Sequence, residues 1–144
     1  MQTREDAKEY LLQIKYLTNN IKDQEQYIQR LRDTMGILGI SYERERVQSS
    51  PEVDRFAHVF AQIEEQEKVL ESLKVNLIET KVNIINMIHE LENEKHRKVL
   101  NLHYVDLKSL KKASNIMCFS YDYVKELHLE ALDAFLEKFP LYNT

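Results

Sequence analysis

Apolar residues return at alternating steps of three and four from Ala7 onward. Ala7, Ile14, Ile21, Ile28 and Met35 interleave with Tyr10, Leu17, Gln24 and Leu31, the a and d positions of a coiled-coil stripe. Only Gln24 is strongly polar among them. Gly36 and Gly39 end the periodicity, and residues 36–50 read as a loop before Ser50, a helix cap, and Pro51, a residue suited to the first helical position. A second long helix follows. Its stripe holds Phe56, Ile63, Leu70, Leu77, Ile84 and Leu91, with Val59, Gln66, Leu73, Thr80 and Met87 at the alternate position. Folding the two stripes together about the loop sets Ile28 against Ile63, Ile14 against Leu77 and Tyr10 against Thr80. Gln24 then meets Gln66, so the two polar interruptions share one layer. A slip of one heptad would bury each amide against an aliphatic side chain, so the pair fixes register.

A second apolar stripe marks the far end of this hairpin: Val75, Ile78, Val82 and Ile85 on the second helix, Leu12 and Tyr16 on the first. Something has to cover it. The C-terminal segment folding back is one cover, and a second copy of the chain, giving a homodimer with four long helices, is the other.

After Leu91 the heptad stops. Three shorter units follow, Glu94 to Val105, Leu110 to Ile116, and Tyr121 to about Phe139, before Pro140. Their spacing is that of a helix-turn-helix. Ser109 and Ser120 stand at cap positions, Ala113 is small enough for a close crossing, and Ile116, Val124, Leu127 and Ala131 form an inward face. The expected fold is therefore all-α: a long antiparallel coiled-coil hairpin over residues 1–92, then a small helix-turn-helix domain over residues 93–144.

The residues Glu94 to Leu132 carry a resemblance. Arg97, Val99, Leu100, Tyr104, Leu110, Ser120, Val124, Ala131 and Leu132 follow, in order, the pattern of region 4 of bacterial sigma factors. The whole chain is similar to a family of small proteins from phages and prophages of Gram-positive bacteria. Tyr10 to Leu17, Arg46 to Pro51 and Glu126 to Leu132 match that family's "YLLQIKxL", "RVQSSP" and "KLH..AL" segments. The family is related to ArpU-like regulators of late phage genes, which implies a transcriptional regulator that binds DNA through its C-terminal end.

Three features depart from the sigma pattern. Cys118 occupies the turn position where glycine takes a left-handed backbone freely, so the turn should be altered or strained. Tyr121, Asp122 and Tyr123 stand where arginine-rich side chains would reach base edges and phosphates. From Ser120 to Lys138 two lysines oppose five carboxylates, a net of −3, whereas Lys95, Arg97, Lys98, Lys108, Lys111 and Lys112 upstream face only Asp106. Two readings stay open. In one, the upstream cations hold the phosphate backbone of double-stranded DNA while Ser120, Tyr121, Tyr123, Lys125 and His128 lie at the groove. In the other, the motif is a docking fold whose Tyr121, Asp122 and Tyr123, with Arg44 and Arg46 of the hairpin loop, engage RNA polymerase, a sigma factor or a repressor.

Composition narrows the rest. With 144 residues, 43% of them hydrophobic, the chain can bury a core, and two glycines and two prolines leave little material for phosphate loops or β-hairpins. A net charge of −4 argues against bulk attraction to polyanions, so the local basic cluster matters more than the total. No nucleophile elbow, HExxH or glycine-rich loop is present. His58, His89, His96, His103 and His128 lack metal-ligand spacing, and Cys118 has no companion. The expectation is a non-enzymatic protein without cofactor, metal or small-molecule substrate. With no apolar run near the roughly 20 residues that span a bilayer and no secretion-type apolar start, its expected place is the bacterial cytoplasm.

Overall fold

Helix-favouring residues and scarce glycine lead to a chain with no strand among the described residues. The computed structural model describes residues 2–44 and 51–141, and the protein is all-α over them. Its helices are α1 (Arg4–Leu11), α2 (Gln13–Arg44), α3 (Pro51–His89), α4 (Glu94–Leu100), α5 (Leu110–Met117) and α6 (Tyr121–Lys138), with a π-helical turn, Asn101–Val105, continuing α4.

The chain divides into two compact units, Thr18–Asn76 and a second made of Met1–Leu17 together with Leu77–Thr144. This differs from the division expected after Glu92. The reason is packing: Ala7, Leu11 and Ile14 share one core with Ile84 and Ile88 of α3, with Leu91 just beyond it, and with the C-terminal helices.

In the unit Thr18–Asn76, Ile21, Ile28 and Ile63 are buried. Gln24 Nε2 donates to Gln66 Oε1 at 2.9 Å and to the Gln66 carbonyl at 3.0 Å. One turn later along α2, and one turn earlier along α3, Gln62 Nε2 donates to the Tyr27 hydroxyl at 2.9 Å. The contacts thus run in opposite directions along the two helices. Arg32 pairs with Glu67. The loop expected to begin at Gly36 does not: residues 36–44 belong to α2. A Cβ placed on Gly36 would meet nothing within 4 Å, so the residue is an ordinary, solvent-facing helical position. An exposed helical glycine costs about 1 kcal/mol relative to alanine, too little to stop a 32-residue helix. Ser50 and Arg46 lie outside the described residues, while Pro51 does open α3.

The other unit holds the main core. Val99, Leu100, Tyr104 and Val105 from α4 and its π turn, Ala113 from α5, and Val124, Leu127, Ala131, Leu132 and Phe135 from α6 pack with the residues named above. Leu77 packs against the cluster that contains Ile14. The Tyr10 hydroxyl, expected to face Thr80, reaches further along α3: it accepts from Asn83 Nδ2 at 3.1 Å and donates to the Met87 sulfur at 3.3 Å. Leu12 separates α1 from α2, and Gln13 donates to the Tyr10 carbonyl at 2.8 Å beside this break. On the surface a two-bond ion pair joins Arg4 to Asp133, at 2.9 and 2.8 Å, tying α1 to α6. Each holds the other charged, raising the guanidinium's pKa and lowering the carboxyl's.

Ile116 corrects the expected inward face. Val124, Leu127 and Ala131 are buried as the spacing requires, but Ile116 is exposed and Ser114 turns inward in its place. Ser114 can do so because its hydroxyl donates to the Lys111 carbonyl at 2.6 Å.

Candidate functional site

Helices α5 and α6 are placed by short-range chemistry. Ser109 Oγ accepts from the Lys112 amide at 3.1 Å, and Ser120 Oγ accepts from the Tyr123 amide at 3.2 Å. Each cap contributes roughly 1 kcal/mol and fixes where its helix starts. Between them Cys118 has φ 60°, a left-handed backbone without the glycine that usually supplies it. Phe119 N–H then donates to the Ser114 carbonyl at 3.1 Å, closing α5 with the longer bond of a Schellman turn. A second left-handed residue, Leu107 with φ 57°, leads out of the π turn into α5.

Around this turn the side chains form an exposed aromatic cluster. Phe119 and Tyr123 meet edge to face with ring centroids 5.0 Å apart. Lys95, from α4, lies 5.3 Å from the Phe119 ring centre and 5.7 Å from that of Tyr123, and donates to the Tyr123 hydroxyl at 3.3 Å. Lys125 covers Tyr121 at 4.6 Å and pairs with Asp122 at 3.2 Å. Ile116 and Tyr121 are exposed as well. The sequence pattern does not single out Phe119, and it places Ile116 on the inward face instead of here. Phe119 was legible as the apolar residue just before the Ser120 cap, but its partner Lys95 is 24 positions earlier and comes near only through the packing of α4 on α6.

The nominated basic residues separate into groups. Lys98, Lys111 and Lys112 are exposed and Lys108 half-buried, and among the described residues no carboxylate pairs with any of them. Arg97 is committed elsewhere: Nη1 donates to the carbonyls of Leu91 at 2.6 Å and Glu92 at 3.0 Å, holding the connection that follows α3. Arg44 closes α2, and Arg46 lies outside the described residues.

His128 requires a correction. Expected at a DNA groove, it is only 5% exposed. Its Nε2 lies 2.6 Å from the Tyr104 hydroxyl. Burial first, then the neighbouring His103 and Lys8 charges, pull its pKa from the ordinary 6.5 to about 4. Burial, with Glu5 nearby, pushes Tyr104 upward and keeps the phenol protonated. A neutral imidazole against a protonated phenol is a structural hydrogen bond. His103 donates from Nδ1 to the Lys108 carbonyl at 2.7 Å, since a carbonyl only accepts. Together these rings brace the approach to α5 from beneath.

Among the described residues no group of three His, Cys, Asp or Glu side chains is placed to hold a metal ion, and no helix is long and apolar enough to cross a membrane. No family model, curated protein or solved structure matches the chain.

Proposed function

We propose that this protein is a phage-type transcriptional regulator, an antiparallel coiled-coil hairpin carrying a sigma-region-4-like helix-turn-helix that sits on double-stranded DNA. The observation that carries the reading is a set of lysines with no carboxylate partner among the described residues, Lys98, Lys108, Lys111 and Lys112, on and around a two-helix motif capped at both starts. Unpaired ammonium groups on short helices are suited to phosphate oxygens, and such contacts position a motif without reading sequence. Base readout is left to Tyr121 and Tyr123, which discriminate less sharply than arginine or asparagine. His128, being buried, contributes to the platform and not to the groove. In this reading the regulator works in the cytoplasm of a bacterial host, as a homodimer.

The variant Lys111→Glu with Lys112→Glu tests it. Duplex binding is expected to be lost while the helical content stays unchanged; unchanged binding overturns the proposal.

A second reading has its own support. Phe119, Tyr121 and Tyr123 with Ile116 make an exposed aromatic and aliphatic surface beside the acidic remainder of α6, the composition of a protein-binding anchor. RNA polymerase or a sigma factor is the partner class. Tyr121→Ala with Tyr123→Ala is then expected to abolish capture of purified bacterial RNA polymerase, whereas the two-lysine variant leaves it intact. Equal capture by the tyrosine variant and the native chain contradicts this reading.

A further inference from the structure

Among the described residues nothing covers the outer face of α3. Val75, Ile78, Val82 and Ile85 are 46, 62, 51 and 38% exposed, and they follow one another at steps of three, four and three. Ile84 and Ile88 are buried on another side of the same helix. A helix apolar on two sides has two neighbours to satisfy. The C-terminal segment was one of two covers that the sequence allowed, but α6 is occupied by α1, α4 and α5, and the stripe remains in solvent.

We infer that this face of α3 is a homodimer seam, packed against the same face of a second copy in parallel orientation. The spacing makes Val75 and Val82 one heptad position and Ile78 and Ile85 the other, a self-complementary stripe of interlocking side chains. Charge chooses the direction. In a parallel pair the residue before each valine approaches the partner's residue five further on, which brings Lys74 beside Glu79 of the partner subunit, twice by symmetry. Reversing one helix so that Val75 layers with the partner's Ile85 and Ile78 with the partner's Val82 instead brings Lys81 beside Lys81 of the partner subunit. Like charges at the axis disfavour that arrangement. The pairing rests on the helix face alone and is independent of what the C-terminal helices bind.

Light scattering on the purified full chain at tens of micromolar tests the pairing. The expected mass is twice the 17.2 kDa of one chain, and Val82→Glu is expected to give the monomer with undiminished helical circular dichroism. A monomeric native chain, or a dimer unaffected by Val82→Glu, overturns the seam. Should Val82→Glu unfold, Lys74→Glu supplies the test: it weakens dimerisation several-fold, and Lys74→Glu with Glu79→Lys restores it. Absence of that rescue overturns the charge pairing. Direction is read by Ile78→Cys in a Cys118→Ser background. A parallel seam sets the two introduced thiols side by side, so oxidation cross-links the pair; a dimer that fails to cross-link overturns the parallel arrangement.

Discussion

Protonating His128 should loosen the unit that carries α4–α6, and the size of the effect follows from its surroundings. The imidazole is packed against Tyr104 and His103 from the π turn, with Lys8 of α1 near enough to add to the repulsion of a positive charge. Its pKa of about 4 in the fold compares with 6.5 for the ordinary group. Between those values the unfolded chain binds the proton and the folded one does not. Stability is therefore complete above pH 6.5, declines as pH falls, and has lost this contribution below about 4. At 1.36 kcal/mol per pKa unit the full loss approaches about 3 kcal/mol. Urea denaturation of the native chain and of His128→Gln, measured from pH 7 to pH 4, isolates it. The glutamine carbonyl can still accept from Tyr104 but does not titrate, and carboxylate effects such as Asp133 are common to both chains. The native chain should lose up to about 3 kcal/mol more than the variant across this window. Parallel pH curves, or an imidazole resonance titrating near 6.5, refute the reasoning.

Other outcomes follow from single contacts. Gln24→Leu should destabilise by roughly 1–2 kcal/mol by orphaning Gln66, and the double change to leucine should recover much of that loss; a cycle without coupling contradicts the shared layer. Cys118→Gly should raise thermal stability by up to about 1 kcal/mol by relieving a left-handed backbone, and a marked fall would show that φ is not positive there. Gly36→Ala should stabilise by about 1 kcal/mol because the residue is helical with open space at its Cβ. Destabilisation would return residue 36 to a loop.

Periodic features were legible because each depends on a few neighbouring residues. The burial of Ile21, Ile28 and Ile63, the meeting of Gln24 with Gln66, the caps at Ser109 and Ser120, and the left-handed Cys118 all follow from local chemistry and helical repeat. Features set by distant partners were not. His128 is turned inward by Tyr104, 24 residues earlier, and a recognition-helix pattern gives no sign of that. Arg97 resembles a phosphate ligand until its two carbonyl acceptors are seen. The full length of α2 is not legible, because Gly36 has the look of punctuation although its small penalty is outweighed in so long a helix. The joining of Ala7, Leu11 and Ile14 to the C-terminal core was likewise hidden, since their a and d spacing says that they are buried but not against what.

The most direct measurement is equilibrium binding of the purified chain to a random-sequence DNA duplex at low salt, repeated as salt is raised. Four lysine–phosphate contacts predict measurable binding that weakens on the order of a hundredfold between about 50 and 200 mM salt. No binding at the lowest salt, or binding indifferent to salt, would contradict the account.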